Sequence, residues 1–123
     1  CRTQNLTKTW IAGKKGFHFV LEIYRVTRRF PTEEKFGLTS QLRRAAVSVP
    51  TNIAEGAGRK SLKEFVNFLS IVLGSVAELD TLLLLVQNLI FLPEHEAEVL
   101  IQELDVIGKL AYGLMKKLGY VPE

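Results

Sequence analysis

The chain has 123 residues, 47% of them hydrophobic and only 9% aromatic, with a net charge of +3 and one cysteine. That length supports one domain around one core, packed mainly by Leu, Ile and Val. A lone cysteine, Cys1, excludes an intrachain disulfide framework and fits a reducing cytoplasm.

The charge is unevenly spread. Residues 1–63 carry 13 Lys and Arg against four Asp and Glu, whereas residues 64–123 carry three against nine. Two readings follow: a basic surface for an anionic partner, or basic and acidic helices that neutralise each other side by side.

Residues 1–12 read as an irregular lead-in anchored by Trp10, with no apolar segment of the signal-peptide kind. Residues 13–123 read as a single four-helix domain. Helix 1 is expected from about Lys14 to Arg29, with an apolar stripe at Phe17, Val20, Tyr24 and Thr27, widened by Leu21, Ile23 and Phe30. Gly13 and Gly16 weaken its first turn, and Pro31 stops it. Helix 2 starts near Thr39 or Ser40, either being a good N-cap. Its stripe is Leu42, Ala46, Val49, Ile53 and Ala57, mostly small side chains that let helices approach. Pro50 interrupts the stripe and predicts a kink; Gly56 and Gly58 mark the exit.

A long helix is expected from Ser61 to about Phe91, roughly 45 Å at 1.5 Å per residue. Its apolar residues at Leu62, Phe65, Leu69, Val72, Val76, Leu79, Leu83, Val86 and Ile90 alternate steps of three and four, the seam of a helix packed lengthwise on others. Ser61 and Glu64 form a capping box. Gly74 and Ser75 permit a close crossing or a mild bend. A second apolar face, Leu82, Leu85 and Leu89, needs its own cover: another subunit, or the N-terminal segment with Trp10 folded over it. The most apolar run, Leu82 to Leu92, is broken by Gln87 and Asn88 and is short for a bilayer. Pro93 and three glutamates suit the start of helix 4, whose seam is Ala97, Leu100, Leu104, Ile107, Ala111, Leu114 and Leu118. Gly119 suits its C-terminal turn. Four helices with short connections read as an all-α, antiparallel up-and-down bundle with a long third helix.

No catalytic constellation is present. His18 and His95 are far apart in sequence, and His95 with Glu98 sits on an acidic first turn, so no metal or cofactor is expected. The serines have no base at a useful spacing. Gly56-Ala57-Gly58-Arg59-Lys60-Ser61 resembles a phosphate loop, but a helix precedes it and Arg follows its last glycine, so it is not a Walker A motif. It reads either as a plain glycine turn or as a site for one phosphate of a polymer.

The basic residues carry the functional lead. Arg25, Arg28 and Arg29 share the last turns of helix 1, Arg43 and Arg44 open helix 2, and Arg59, Lys60 and Lys63 surround the glycine turn. The planar guanidinium fork suits phosphate, and such contacts are salt-sensitive. No aromatic residues alternate with these charges, so base stacking is not indicated. Structural roles compete: Glu55 and Arg59 are spaced to pair, and Arg43 or Arg44 is also a candidate partner for Glu55.

The run from Phe36 to Pro50, FGLTSQLRRAAVSVP, leads into Asn52-Ile53-Ala54-Glu55-Gly56, then Gly58-Arg59, Ser61, Lys63-Glu64-Phe65, Phe68-Leu69, Gly74-Ser75 and Glu78-Leu79. This pattern, from about Tyr24 to Leu79, resembles the four-helix-bundle proteins encoded within intervening sequences of bacterial 23S rRNA genes. More remotely it is similar to the accessory variability determinant of diversity-generating retroelements. One position departs: Gly13 stands where the family carries an early aromatic, and Trp10 lies three residues before it. The resemblance implies a ring-like homo-oligomer, a pentamer, with a positive surface for RNA or DNA. It also implies a partner such as a reverse transcriptase in the retroelement branch, and no established enzymatic activity.

The expectation is therefore a cytoplasmic, non-enzymatic nucleic-acid-binding bundle, RNA ahead of DNA, that self-assembles and does not engage a membrane. Its binding residues are the eight cations named above, and its subunit interface is Leu82, Leu85 and Leu89. The alternative is a structural adaptor oligomer whose basic face docks an acidic protein.

Overall fold

A computed structural model describes residues 2–119, with the side chains of residues 2–5 left aside; Cys1 and Pro122 lie outside the described residues. Four helices are present: α1 (Arg2–Thr27), α2 (Leu38–Ala57), α3 (Leu62–Asn88) and α4 (Glu94–Lys117), with a short 3-10 turn, Thr32–Glu34, between the first two. Among the described residues there is no strand. Each helix packs on two others in the order α1, α2, α3, α4 and back to α1, and the diagonal pairs stay apart.

Specific contacts fix how the helices align. Gly16 meets Val49 and Pro50 across α1 and α2, and Gly56 meets Phe65 and Phe68 across α2 and α3. The hydroxyls of Ser48 and Ser75 bond at that same interface. Val76 lies against Gly108 between α3 and α4. His18 stands 4.0 Å from Glu103, and Arg29 pairs with Glu96, between α1 and α4. Phe30 and Phe91, 5.7 Å apart between ring centroids, clasp the α1–α2 connection to the α3–α4 connection. Along α2 and α3, Ser48 meets Ser75 while Gly56 meets Phe65 and Phe68; along α1 and α4, His18 faces Glu103 while Arg29 meets Glu96.

Helices 3 and 4 follow the sequence pattern. From Leu69 to Val86 the seam of α3 is buried, and so is that of α4 from Ala97 to Leu114. The ends of the α3 seam differ: Leu62 is exposed and Ile90 is 88% exposed, because both lie where the neighbouring helices have ended. Leu82 is only 5% exposed and belongs to the core. By length and composition α3 could cross a membrane, an apolarity reaching beyond the Leu82–Leu92 run. Much of it serves the core stripe.

Helix 1 departs in two ways. The expected irregular lead-in is helical from Arg2. The buried stripe matches the expected one only in part: Ile23, Thr27 and Phe30 are buried and Val20 packs against the core, but Ala12, Gly16, Phe19 and Val26 complete the buried face, whereas Phe17, Leu21 and Tyr24 are exposed. The reason is steric. A Cβ at Gly16 would lie 3.1 Å from Val49 Cγ1 and 3.4 Å from the Pro50 ring, so α1 approaches α2 along its smallest residues. Phe17, Leu21 and Tyr24 are left on an outer face.

The caps divide similarly. At α3 the Ser61 hydroxyl accepts from the Glu64 N–H at 3.1 Å, as the pattern predicts, and the same hydroxyl donates to the Glu64 carboxylate. Helix 2 does not start on a Thr or Ser cap. Gly37 occupies the N-cap position, and Glu34 Oε1 accepts from the Leu38 N–H at 3.3 Å. A Cβ on Gly37 would lie 2.9 Å from that oxygen. Pro50 sits within α2, which continues to Ala57. The exit falls where the glycines mark it, with Gly58 as the C-cap and Gly56 buried in the last turn, while Ala57 is exposed.

Candidate nucleic-acid interface

The structure sorts the eight candidate cations by what already neutralises them. On α1, Arg25 donates to both oxygens of Glu22, at 3.0 and 3.2 Å. That hydrogen bond holds the Glu22 carboxyl below its usual range and raises Arg25 further. Arg29 grips Glu96 on α4 through two bonds, 2.6 and 3.1 Å, which holds the Glu96 carboxyl low. Arg59 pairs with Glu55 at 3.5 Å, the spacing expected from sequence, and lies over the Phe68 ring. These three cations serve the bundle's own carboxylates. Arg28, Arg43, Arg44, Lys60 and Lys63 have no carboxylate partner among the described residues.

The eight also do not share one surface. Arg28, Arg43 and Arg44 belong to the corner where α1 ends and α2 begins. Arg59, Lys60 and Lys63 lie at the other end of α2, about 20 Å away along the helix.

Arg43 is the most closely held of the set. Its Nε donates to the Thr27 hydroxyl at 2.9 Å, and that hydroxyl donates in turn to the Ile23 carbonyl at 2.7 Å. Its guanidinium carbon lies over the Tyr24 ring, 4.4 Å from the centroid. The pairing with Glu55 considered from sequence does not form for Arg43 or Arg44; Glu55 is exposed and pairs with Arg59. Thr27 and Tyr24 thus hold the arginine in place and leave its two terminal nitrogens free among the described residues.

A groove of about 480 Å³ runs along this corner, bordered by Tyr24, Lys35, Phe36, Ser40, Arg43 and Arg44. No carboxylate lines it. Phe36 is 89% exposed, with the Lys35 ammonium 5.5 Å from its ring. Lys35 and Phe36 were not visible as site residues in the sequence, because both lie in a turn outside any helical period. The available signal was a large aromatic beside a lysine in a connection that is exposed by default. Aromatic rings do interleave with the cations, in space rather than along the chain: Tyr24 with Arg43, Phe36 with Lys35 and Phe68 with Arg59.

A second cavity, about 310 Å³, lies between α1 and α4 beside Lys14, His18 and Glu103. One Glu103 oxygen there is buried without a hydrogen-bond partner. Among the described residues no three His, Cys, Asp or Glu side chains gather in a way that could hold a metal ion.

The expected subunit face is divided. Leu82 cannot serve it, being packed inside the chain's own core, whereas Leu85 and Leu89 are half-exposed. A larger apolar face lies on α1, where Leu6, Trp10, Phe17 and Leu21 are exposed.

The family model of the 23S rRNA-intervening sequence proteins matches residues 8–113. This chain belongs to that family. Membership of the 23S rRNA-intervening sequence proteins therefore spans all four helices, including α4, where the sequence resemblance was one of pattern only. A solved structure of a protein of unknown function from the S23 ribosomal protein family of Bacteroides thetaiotaomicron VPI-5482 is 24% identical. It superimposes with a TM-score of 0.82, covering 89% of this chain and 98% of that one. At that identity the likeness shows the shared fold. No curated protein matches the chain.

Proposed function

We propose that this protein is a non-enzymatic, nucleic-acid-binding helical bundle that takes RNA ahead of DNA at the corner between α1 and α2. One observation carries this reading. Arg28, Arg43 and Arg44 stand without carboxylate partners at this corner, and Arg43, Arg44 and Lys35 border a groove that no acidic residue lines. Arginines held for the bundle's own sake are spent on carboxylates, as Arg25 and Arg29 are. Arg43 is instead oriented by a hydroxyl and a ring, so its charge is kept while its position is fixed. That is the arrangement that favours phosphate, since the guanidinium fork matches phosphate oxygens and little ordering cost remains.

The bundle reads as antiparallel and up-and-down, supported by the opposed run of residue numbers across neighbouring helices. It reads as self-assembling, supported by the exposed apolar face of α1 and by Leu85 and Leu89. An RNA ligand and a single cysteine both fit a cytoplasmic protein.

The test is RNA binding as a function of salt. Four cations facing a single strand give a slope of about −2.8 in log K against log salt, hence about a 50-fold loss between 50 and 200 mM. Replacing Arg28 and Arg44 with Ala halves that slope. Arg25→Ala changes it less, because Glu22 already neutralises that charge. Absence of RNA binding at 50 mM salt, with binding of an acidic peptide instead, refutes the proposal in favour of an adaptor role.

A further inference from the structure

We infer that the α1–α2 corner takes single-stranded RNA rather than duplex, by stacking an unpaired base in the groove between Phe36 and the Arg43 guanidinium. This rests on the nucleic-acid reading above and narrows its substrate class.

Three observations converge. The first is Phe36. An 89% exposed phenyl ring contributes nothing to the core, and nothing in the turn requires it. Gly37 and the Glu34 carboxylate set the start of α2 without it. Its one ring contact among the described residues is the Lys35 ammonium, 5.5 Å away. A phenyl ring left in water beside a cation is what a stacking platform looks like before its base arrives.

The second is the layered Arg43. Its guanidinium carbon lies over Tyr24, 4.4 Å from the centroid, and its Nε is anchored on the Thr27 hydroxyl. The outer face of a guanidinium so held is a second flat surface, of the kind on which unpaired bases stack. Phe36 and Arg43 border the same groove, so the two surfaces share one ligand space of about 480 Å³.

The third is charge. Lys35, Arg43 and Arg44 border the groove and no carboxylate lines it; Glu34, in the adjoining turn, accepts from the Leu38 N–H. A base inserted between the two surfaces would carry its flanking phosphates to these cations. A duplex cannot do this, because its bases are already stacked and its edges, not its faces, are presented. Phosphate contacts alone would favour the duplex, whose charge density is higher, so a preference for the single strand would come from the aromatic element.

The experiment measures fluorescence anisotropy of a labelled 12-nucleotide oligoadenylate and of a 12-base-pair RNA duplex, at 50 mM salt, with the full chain. The single strand is expected to bind more tightly than the duplex. Phe36→Ala weakens the single strand by roughly tenfold or more and changes duplex binding less than twofold. Phe36→Trp restores single-strand binding. Because the ring is exposed, neither change disturbs folding, which circular dichroism checks. Equal binding of the two forms, or an equal loss of both in Phe36→Ala, overturns the stacking inference while leaving the nucleic-acid reading intact. Absence of binding to either form overturns the nucleic-acid reading and this inference with it. A lower mass of Phe36→Ala in light scattering, with RNA binding unchanged, assigns the ring to contact with a second copy and likewise overturns the inference.

Discussion

Gly56→Ala and Gly74→Ala add the same methyl group to two helix interiors, and the structure gives them opposite signs. Both replacements raise helix propensity by about 1 kcal/mol. At Gly74 nothing lies within 4 Å of the added Cβ, so the gain stands. At Gly56 the Cβ would come within 2.8 Å of Phe68 Cβ and 2.9 Å of Phe65 Cδ1. The Phe68 Cβ is fixed to the α3 backbone and cannot rotate away, so α2 and α3 must part. Overpacking of that kind costs about 1–3 kcal/mol. The net expectation is a loss of about 1 kcal/mol for Gly56→Ala and a gain of about 1 kcal/mol for Gly74→Ala. Urea unfolding followed by circular dichroism, at one fixed protein concentration, separates them by about 1 M in midpoint if the m-value is near 2 kcal/mol/M. A Gly56→Ala protein as stable as the wild type would refute the claim that α2 and α3 are held apart by nothing more than a hydrogen atom.

Ile90 has φ 64° and an exposed side chain, so a β-branched residue sits in the left-handed region with no burial in return. Ile90→Asn relieves about 1 kcal/mol of that strain, and thermal unfolding moves up by a few degrees. Burial, and secondarily Asp105, raises Asp80 above its ordinary 3.8. A raised carboxyl costs the folded state stability at pH values above its folded pKa, and the cost disappears below 3.8. Asp80→Asn is therefore stabilising at pH 7 and neutral at pH 3, as paired urea titrations would show. Leu82→Glu buries a carboxylate in the core and unfolds the bundle. Leu85→Glu with Leu89→Glu keeps the helical signal and lowers the mass in light scattering; an unchanged mass shifts self-assembly to the α1 face.

How much the sequence disclosed depended on whether an element has one apolar stripe or two. In α4 a single stripe exists, and every seam position down to Leu114 is buried. In α1 two stripes compete, both with large residues. Gly16 loses any contest of hydrophobicity with Phe17 and Leu21, yet it faces the core, where Val49 and Pro50 come close to it. The site divided along the same lines of range. The Glu55–Arg59 pair is four residues apart and was legible. Glu96 is 67 residues from Arg29, so no local pattern shows that this arginine is occupied. The cap of α2 was hidden because its acceptor comes from Glu34, before the helix, and not from its own first residues.

The absence of diagonal contacts has a consequence for how the bundle forms. Three of its four interfaces join helices consecutive in the chain, and only the α1–α4 interface needs distant segments to meet. Such local topology belongs to the fast-folding class. The last interface to close is expected to be the one that spans the chain, since its loop entropy is repaid only by contacts such as Arg29–Glu96 and Phe30–Phe91. Those contacts would then govern how fast the bundle comes apart and leave its rate of assembly nearly untouched. The corner that carries the groove would be among the first parts of the protein to exist, and the α1–α4 clasp beside it the part that sets its lifetime.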